Sequence, residues 1–124
     1  MTLGETFDKA IRLAMKGDFV LYDELLHSDY ESINQRVPIN KEMSKAILSG
    51  VGEFTLVGPM AIIYENDEFA CIHQITKILK SEIFNSVMIA INFKDGKVIR
   101  QQTVWHELNE DPSDGEDWNW EDYE

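Results

Sequence analysis

Residues 54–108 read FTLVGPMAIIYENDEFACIHQITKILKSEIFNSVMIAINFKDGKVIRQQTVWHEL. Four stretches rich in β-branched and aromatic residues stand out: Phe54–Tyr64, Phe69–Leu79, Ile83–Phe93 and Val98–Leu108. Such composition predicts strands. Glu65-Asn66-Asp67, Lys80-Ser81 and Asp95-Gly96 lie between them. Connections this short join antiparallel neighbours, so the segment predicts a four-stranded meander of consecutive hairpins. Gly58-Pro59 interrupts the first strand, and proline cannot donate to a ladder, so a bulge or bend is expected there.

Upstream, the periodicity changes from two to helical. Thr2 and Glu5 have the spacing of a capping box, and Leu3, Phe7, Ala10, Ile11, Ala14 and Met15 recur on one helical face. Gly17 is placed to end that helix in the left-handed conformation, and Asp18 to cap a second, short helix carrying Phe19, Tyr22, Leu25 and Leu26. Ser28–Arg36 reads as extended. Pro38 and Asn40 open a third helix, with Ile39, Met43, Ala46 and Ile47 on one face and Gly50 and Gly52 at its end. Three helices ahead of an antiparallel sheet predict an α+β domain over residues 1–108, the helices covering one face of the sheet.

Residues 109–124 differ in kind. Between Glu107 and Glu124 there are nine acids and no Lys or Arg, which accounts for most of the net charge of −12. This acidic tail predicts a solvated segment. Its Trp118, Trp120 and Tyr123 offer an alternative, docking on the domain or on a partner. Apolar residues make up 44% of the 124, enough for one packed core. No apolar run approaches the roughly 18 residues of a membrane span. The first residues lack a signal-peptide core, and the single cysteine, Cys71, forms no intrachain disulfide, which together point to the cytoplasm. The acidic balance argues against nucleic acid, whose binding needs cationic surface.

The order of elements resembles the nuclear transport factor 2-like superfamily, in its SnoaL-like and ketosteroid-isomerase-like branch. The resemblance is carried by Gly17-Asp18-Phe19 between two helices, Ser28-Asp29-Tyr30 opening the extended stretch, and Asp95-Gly96-Lys97-Val98 before a strand that ends Val104-Trp105-His106. It implies a cystatin-like cone in which a curved sheet wraps three helices and leaves a pocket at its open end. It also implies a homodimer formed through the sheet's outer face. The branch contains isomerases, epoxide hydrolases, polyketide cyclases and non-catalytic members, so fold does not decide function.

The known chemistries of that group can be checked position by position. Ketosteroid isomerization needs a tyrosine where this chain has Ala10, an aspartate base where it has Asn34, and a protonated aspartate where it has Ile89. An amide is no general base at neutral pH. By spacing, the arginine and two aspartates of limonene epoxide hydrolase fall on His73, Ile75 and Thr103. The carboxylates are therefore unmatched. Alternation puts Cys71, His73 and Ile75 on one face of their strand and Gln101, Thr103 and Trp105 on one face of theirs. By analogy those faces point inward, giving an expected pocket of Tyr30, Asn34, His73, Asn85, Thr103 and Trp105. His73 is the candidate acid or base, since an imidazole can play either part. Cys71 has no basic neighbour in sequence and reads as a small buried hydrophobe.

His27, His73 and His106 show no metal-ligand spacing, and there is no glycine-rich phosphate loop or nucleophile elbow, so no metal or cofactor is expected. Three functions follow. The first is a domain binding a small hydrophobic molecule without supported catalysis. The second is an isomerase or dehydratase that uses His73 on a small hydrophobic carbonyl compound. The third is an interaction module that engages a partner through the acidic tail.

Overall fold

A computed structural model describes all of residues 1–124. Helix α1 spans Leu3–Met15, and its capping box is formed: Glu5 N donates to Thr2 Oγ1 (3.2 Å) and Thr2 N to Glu5 Oε1 (3.0 Å). Those bonds outweigh the small desolvation of the Glu5 carboxyl and hold it below its usual range. Gly17 ends the helix at φ +92°, in the left-handed region expected of it. Helix α2 is only Val20–Leu25, and Asp18 Oδ1 accepts from Val20 N. Helix α3, Lys41–Gly52, starts on Asn40, whose Oδ1 accepts from Met43 N. It crosses α1 so closely that a Cβ on Gly52 would lie 2.0 Å from the Met15 carbonyl oxygen.

The sheet has six strands where the sequence predicts four. Leu26–Asn34 forms β1 and Val37–Asn40 forms β2, joined by the turn residues Gln35 and Arg36, both at positive φ. Positive φ at both central residues suits the right-handed twist of a two-residue hairpin. Pro38 therefore sits on a short edge strand, not in the first turn of α3. The four long strands are β3 (Thr55–Glu65), β4 (Phe69–Ile78), β5 (Phe84–Lys94) and β6 (Lys97–Leu108). They form the predicted meander, and the full order is β2-β1-β6-β5-β4-β3. Only β1 and β6 run parallel. The expected irregularity at Gly58-Pro59 is a register shift between Val57 and Met60.

The curved sheet wraps the helices, an α+β cone of the nuclear transport factor 2-like, cystatin-like kind. Phe7, Ala10 and Ala14 of α1 and Tyr22 of α2 pack on Ala70, Ile72, Ile91 and Val98 from the concave face, all but fully buried. No helix is long and apolar enough to cross a membrane.

The tail does not trail into solvent. It folds back across the sheet, and Trp120 is 7% exposed at the start of a short 3-10 helix, Trp120–Tyr123. Its ring stacks on Phe84 (5.8 Å between centroids) and meets Trp118 edge-on (5.1 Å). Its Nε1 donates to Asp111 Oδ1 (3.0 Å). The slot exists because Gly58 has no side chain: a Cβ there would lie 2.8 Å from the indole. Beyond it, Tyr123 lies under the Arg12 guanidinium, 6.0 Å from ring centroid to Cζ. The same guanidinium donates to Val57 O (3.0 Å) and Gly58 O (2.7 Å), carbonyls of the bulged edge strand. The tail and α1 together cap an edge that would otherwise be open to pairing.

Candidate functional site

Between α1, α3 and the concave sheet lies a cavity of about 320 Å³. Ile11, Met15, Leu48 and Val51 form its helical side, and Val57, Val87 and Ile89 form apolar wall on the sheet. Polar atoms enter from β1 (Ser32, Asn34), β4 (Gln74, Thr76), β5 (Asn85) and β6 (Gln101, Thr103), with Tyr22 and Ser44 from the helices. Half-exposed Trp105 and Val51 stand at the opening.

Asn34, Asn85, Thr103 and Trp105 thus line one cavity. Tyr30 lies just behind the wall: it is buried, and its hydroxyl donates to Gln101 Oε1 (2.7 Å). Gln101 Nε2 in turn donates to Thr103 Oγ1 (2.9 Å). His73 is not in the cavity. Inward positions on β4 are Ala70, Ile72, Gln74 and Thr76, all buried, so Cys71, His73 and Ile75 face the outside of the sheet. There His73 Nε2 shares a 2.6 Å hydrogen bond with Ser86 Oγ. The half-buried Cys71 thiol lies 3.4 Å from the Met88 sulfur. Parity also moves the epoxide-hydrolase comparison by one residue, from His73 and Ile75 to Gln74 and Thr76, which are equally neutral. Of the ketosteroid-isomerase positions, Ala10 and Ile89 are buried apolar residues.

Sequence reasoning missed the group behind Gln74. Gln74 Nε2 donates to Asp8 Oδ1 (2.7 Å), and Arg12 Nε donates to Asp8 Oδ2 (2.8 Å). The sequence signal was an acid–base pair four apart, with Asp8 between Phe7 and Ile11 on the apolar face of the helix. With both oxygens engaged, Asp8 holds Gln74 in place and does not line the cavity. Tyr22 and Ser44 share a very short hydrogen bond. Burial, with the neighbouring Tyr30 adding to it, pushes the Tyr22 hydroxyl far above the usual phenol range. Tyr22 is the one titratable side chain on the wall, so the wall is neutral at any physiological pH. No three His, Cys, Asp or Glu side chains cluster as metal ligands.

A curved sheet closed over helices, with a neutral, mostly apolar hollow between them, defines the nuclear transport factor 2-like fold, and this chain has it. Solved structures share that fold at low sequence identity. An NTF-2 like protein of unknown function from Burkholderia xenovorans LB400 superposes with a TM-score of 0.66 at 16% identity, covering 89% of this chain and 87% of that one. An LEH-like epoxide hydrolase of M. tuberculosis gives 0.61 at 12%, covering 82% and 80%. An uncharacterized cystatin-like protein from Silicibacter pomeroyi DSS-3 gives 0.61 at 17%, covering 82% and 73%. No family model matches the chain, and no curated protein does.

Proposed function

We propose that the domain binds a small, mostly apolar molecule in the cavity between α1, α3 and the sheet, and that it does so without acid–base catalysis. The observation that carries this is the composition of the wall: apolar surface with a few convergent polar groups, and no carboxylate, imidazole, amine or thiol. Ligand sites take the first form, and proton transfer draws chiefly on the groups in the second; the one phenol on the wall, Tyr22, is bonded to Ser44 and held by burial far above its usual range. His73, on the opposite face, supplies no acid or base to the hollow, and the tail's Trp120 is used within the chain itself.

The test is titration with a neutral, environment-sensitive probe, N-phenyl-1-naphthylamine. Saturable fluorescence enhancement is expected, and Val87→Trp, which fills the hollow, abolishes it while far-UV circular dichroism stays unchanged. Enhancement of equal size in that variant refutes the reading.

We propose further that a second copy of the chain covers the outer face of the sheet. Met88, Val104 and Tyr64 are exposed there beside His73, Ser86 and Gln102, a surface without formal charge at its centre. Soluble monomers seldom leave such a patch bare. Sedimentation of the wild type as a dimer, and of Met88→Lys as a monomer, is expected. A monomeric wild type at micromolar concentration sinks the proposal. With its one thiol free, the domain suits a reducing compartment such as the cytoplasm.

A further inference from the structure

Where β1 meets β6 the cavity wall holds an incomplete hydrogen-bond circuit. Tyr30 donates to Gln101, and Gln101 donates to Thr103 Oγ1. That occupies Thr103 as an acceptor and leaves its own proton with no acceptor in the protein. Directly opposite in the parallel register stands Asn34. Its Oδ1 is closed off from solvent and has no partner. Its Nδ2 bonds nothing in the protein either, and is the end of this amide left to reach the cavity that the residue lines. Two donors without a protein acceptor therefore stand side by side on a largely apolar wall.

What this seat lacks is an acceptor, and the surroundings restrict which kind. A carboxylate or phosphate would enter without a counterion, at a cost that grows as water is excluded. The one cation behind the wall, Arg12, already serves Asp8 and the Val57 and Gly58 carbonyls. An ammonium group would find no anion on the wall and would face two donors.

We propose that Asn34 and Thr103 form a seat for a neutral oxygen function, a carbonyl or hydroxyl, carried by an otherwise apolar ligand. The inference rests on the reading of the hollow as a small-molecule site and adds the ligand's polar group, its charge and its point of attachment. It assigns no reaction: both side chains hold the oxygen, and neither carries a base.

A matched set of probes tests it: 2-acetylnaphthalene, 2-isopropylnaphthalene of similar shape, and 2-naphthoate, each titrated by isothermal calorimetry. The wild type takes both neutral probes and binds naphthoate at least tenfold more weakly than the ketone. The preference for ketone over hydrocarbon falls about fivefold in Asn34→Leu or Thr103→Val, the size of one net hydrogen bond. The infrared carbonyl band of the bound ketone, read in the wild type, lies below its position in hexane, and Thr103→Val moves it back. That band keeps the test independent of whether Asn34→Leu folds. An unshifted band, an unchanged preference in both variants, or equal binding of naphthoate overturns the seat while leaving the site itself standing. Failure of every probe to bind the wild type overturns both.

Discussion

Truncating Trp120 should show how much of this fold depends on its last residues. The indole is buried against Phe84 and Trp118, over Gly58, and its N–H reaches Asp111. A large aromatic buries roughly 150–250 Å², which at about 25 cal/mol per Å² corresponds to ~4–6 kcal/mol. Trp120→Ala keeps its Cβ, and the vacated slot opens to water, so the cost falls short of that figure, at about 2–4 kcal/mol. If the tail comes away as a unit, the loss is capped by its docking free energy, and deleting residues 109–124 then costs the same as Trp120→Ala. Trp120→Phe keeps a stacked ring and gives up the bond to Asp111, for about 1 kcal/mol. For a chain of this length the alanine variant should melt roughly 8–16 °C lower. Urea unfolding followed by far-UV circular dichroism gives the free energies, and hydrogen exchange should show faster opening of the β3 edge near Val57 and Gly58. A Trp120→Ala stability within about 0.5 kcal/mol of wild type, the scatter of neutral surface changes, would refute the docking of the tail through Trp120.

Two further outcomes follow from the same geometry. His73→Ala should leave binding of N-phenyl-1-naphthylamine within twofold of wild type, because the imidazole faces away from the hollow; a large loss would place that ring in the site after all. At Asp111, desolvation is the largest single influence and pushes the carboxyl up, but bonds from Ser113 N, Trp120 Nε1 and Ser113 Oγ, with the Lys77 charge, outweigh it and leave the group below its ordinary value. A depressed native value means the stabilisation is fully present above the unfolded carboxyl range near pH 4 and disappears as pH falls through the lower native value. Wild type should therefore lose stability more steeply than Asp111→Asn as pH falls below about 4, and parallel pH profiles would contradict that.

The local features could be read directly from residue order. The Thr2–Glu5 box, the left-handed stop at Gly17, the Asn40 cap, the Asp95-Gly96 turn and the interruption at Gly58-Pro59 each depend on a few neighbouring residues, and each stands in the structure as expected. The four long strands were legible because β-branched runs separated by short polar turns have few other solutions. Asn34, Asn85, Thr103 and Trp105 were picked out by analogy and do share one cavity wall.

What the chain order left open was which way alternate residues point and which distant segments meet. On β4 the two faces are Ala70, Ile72, Gln74 and Thr76 against Cys71, His73, Ile75 and Lys77, similar enough in polarity that alternation alone does not choose. Lys77, on the same parity as His73, was the available cue, since a lysine seldom faces a core. The choice was made by α1, which covers Ala70 and Ile72. The parallel pairing of β1 with β6, the Asp8–Gln74 bond and the seat between Asn34 and Thr103 likewise join residues far apart in sequence. The tail's fate was decided in the same way: an acidic segment is soluble by composition, yet a missing side chain at Gly58 opened a slot for Trp120. Local chemistry sets conformation within a few residues, whereas burial is a property of the assembled chain, and only the assembly determines which faces lose water.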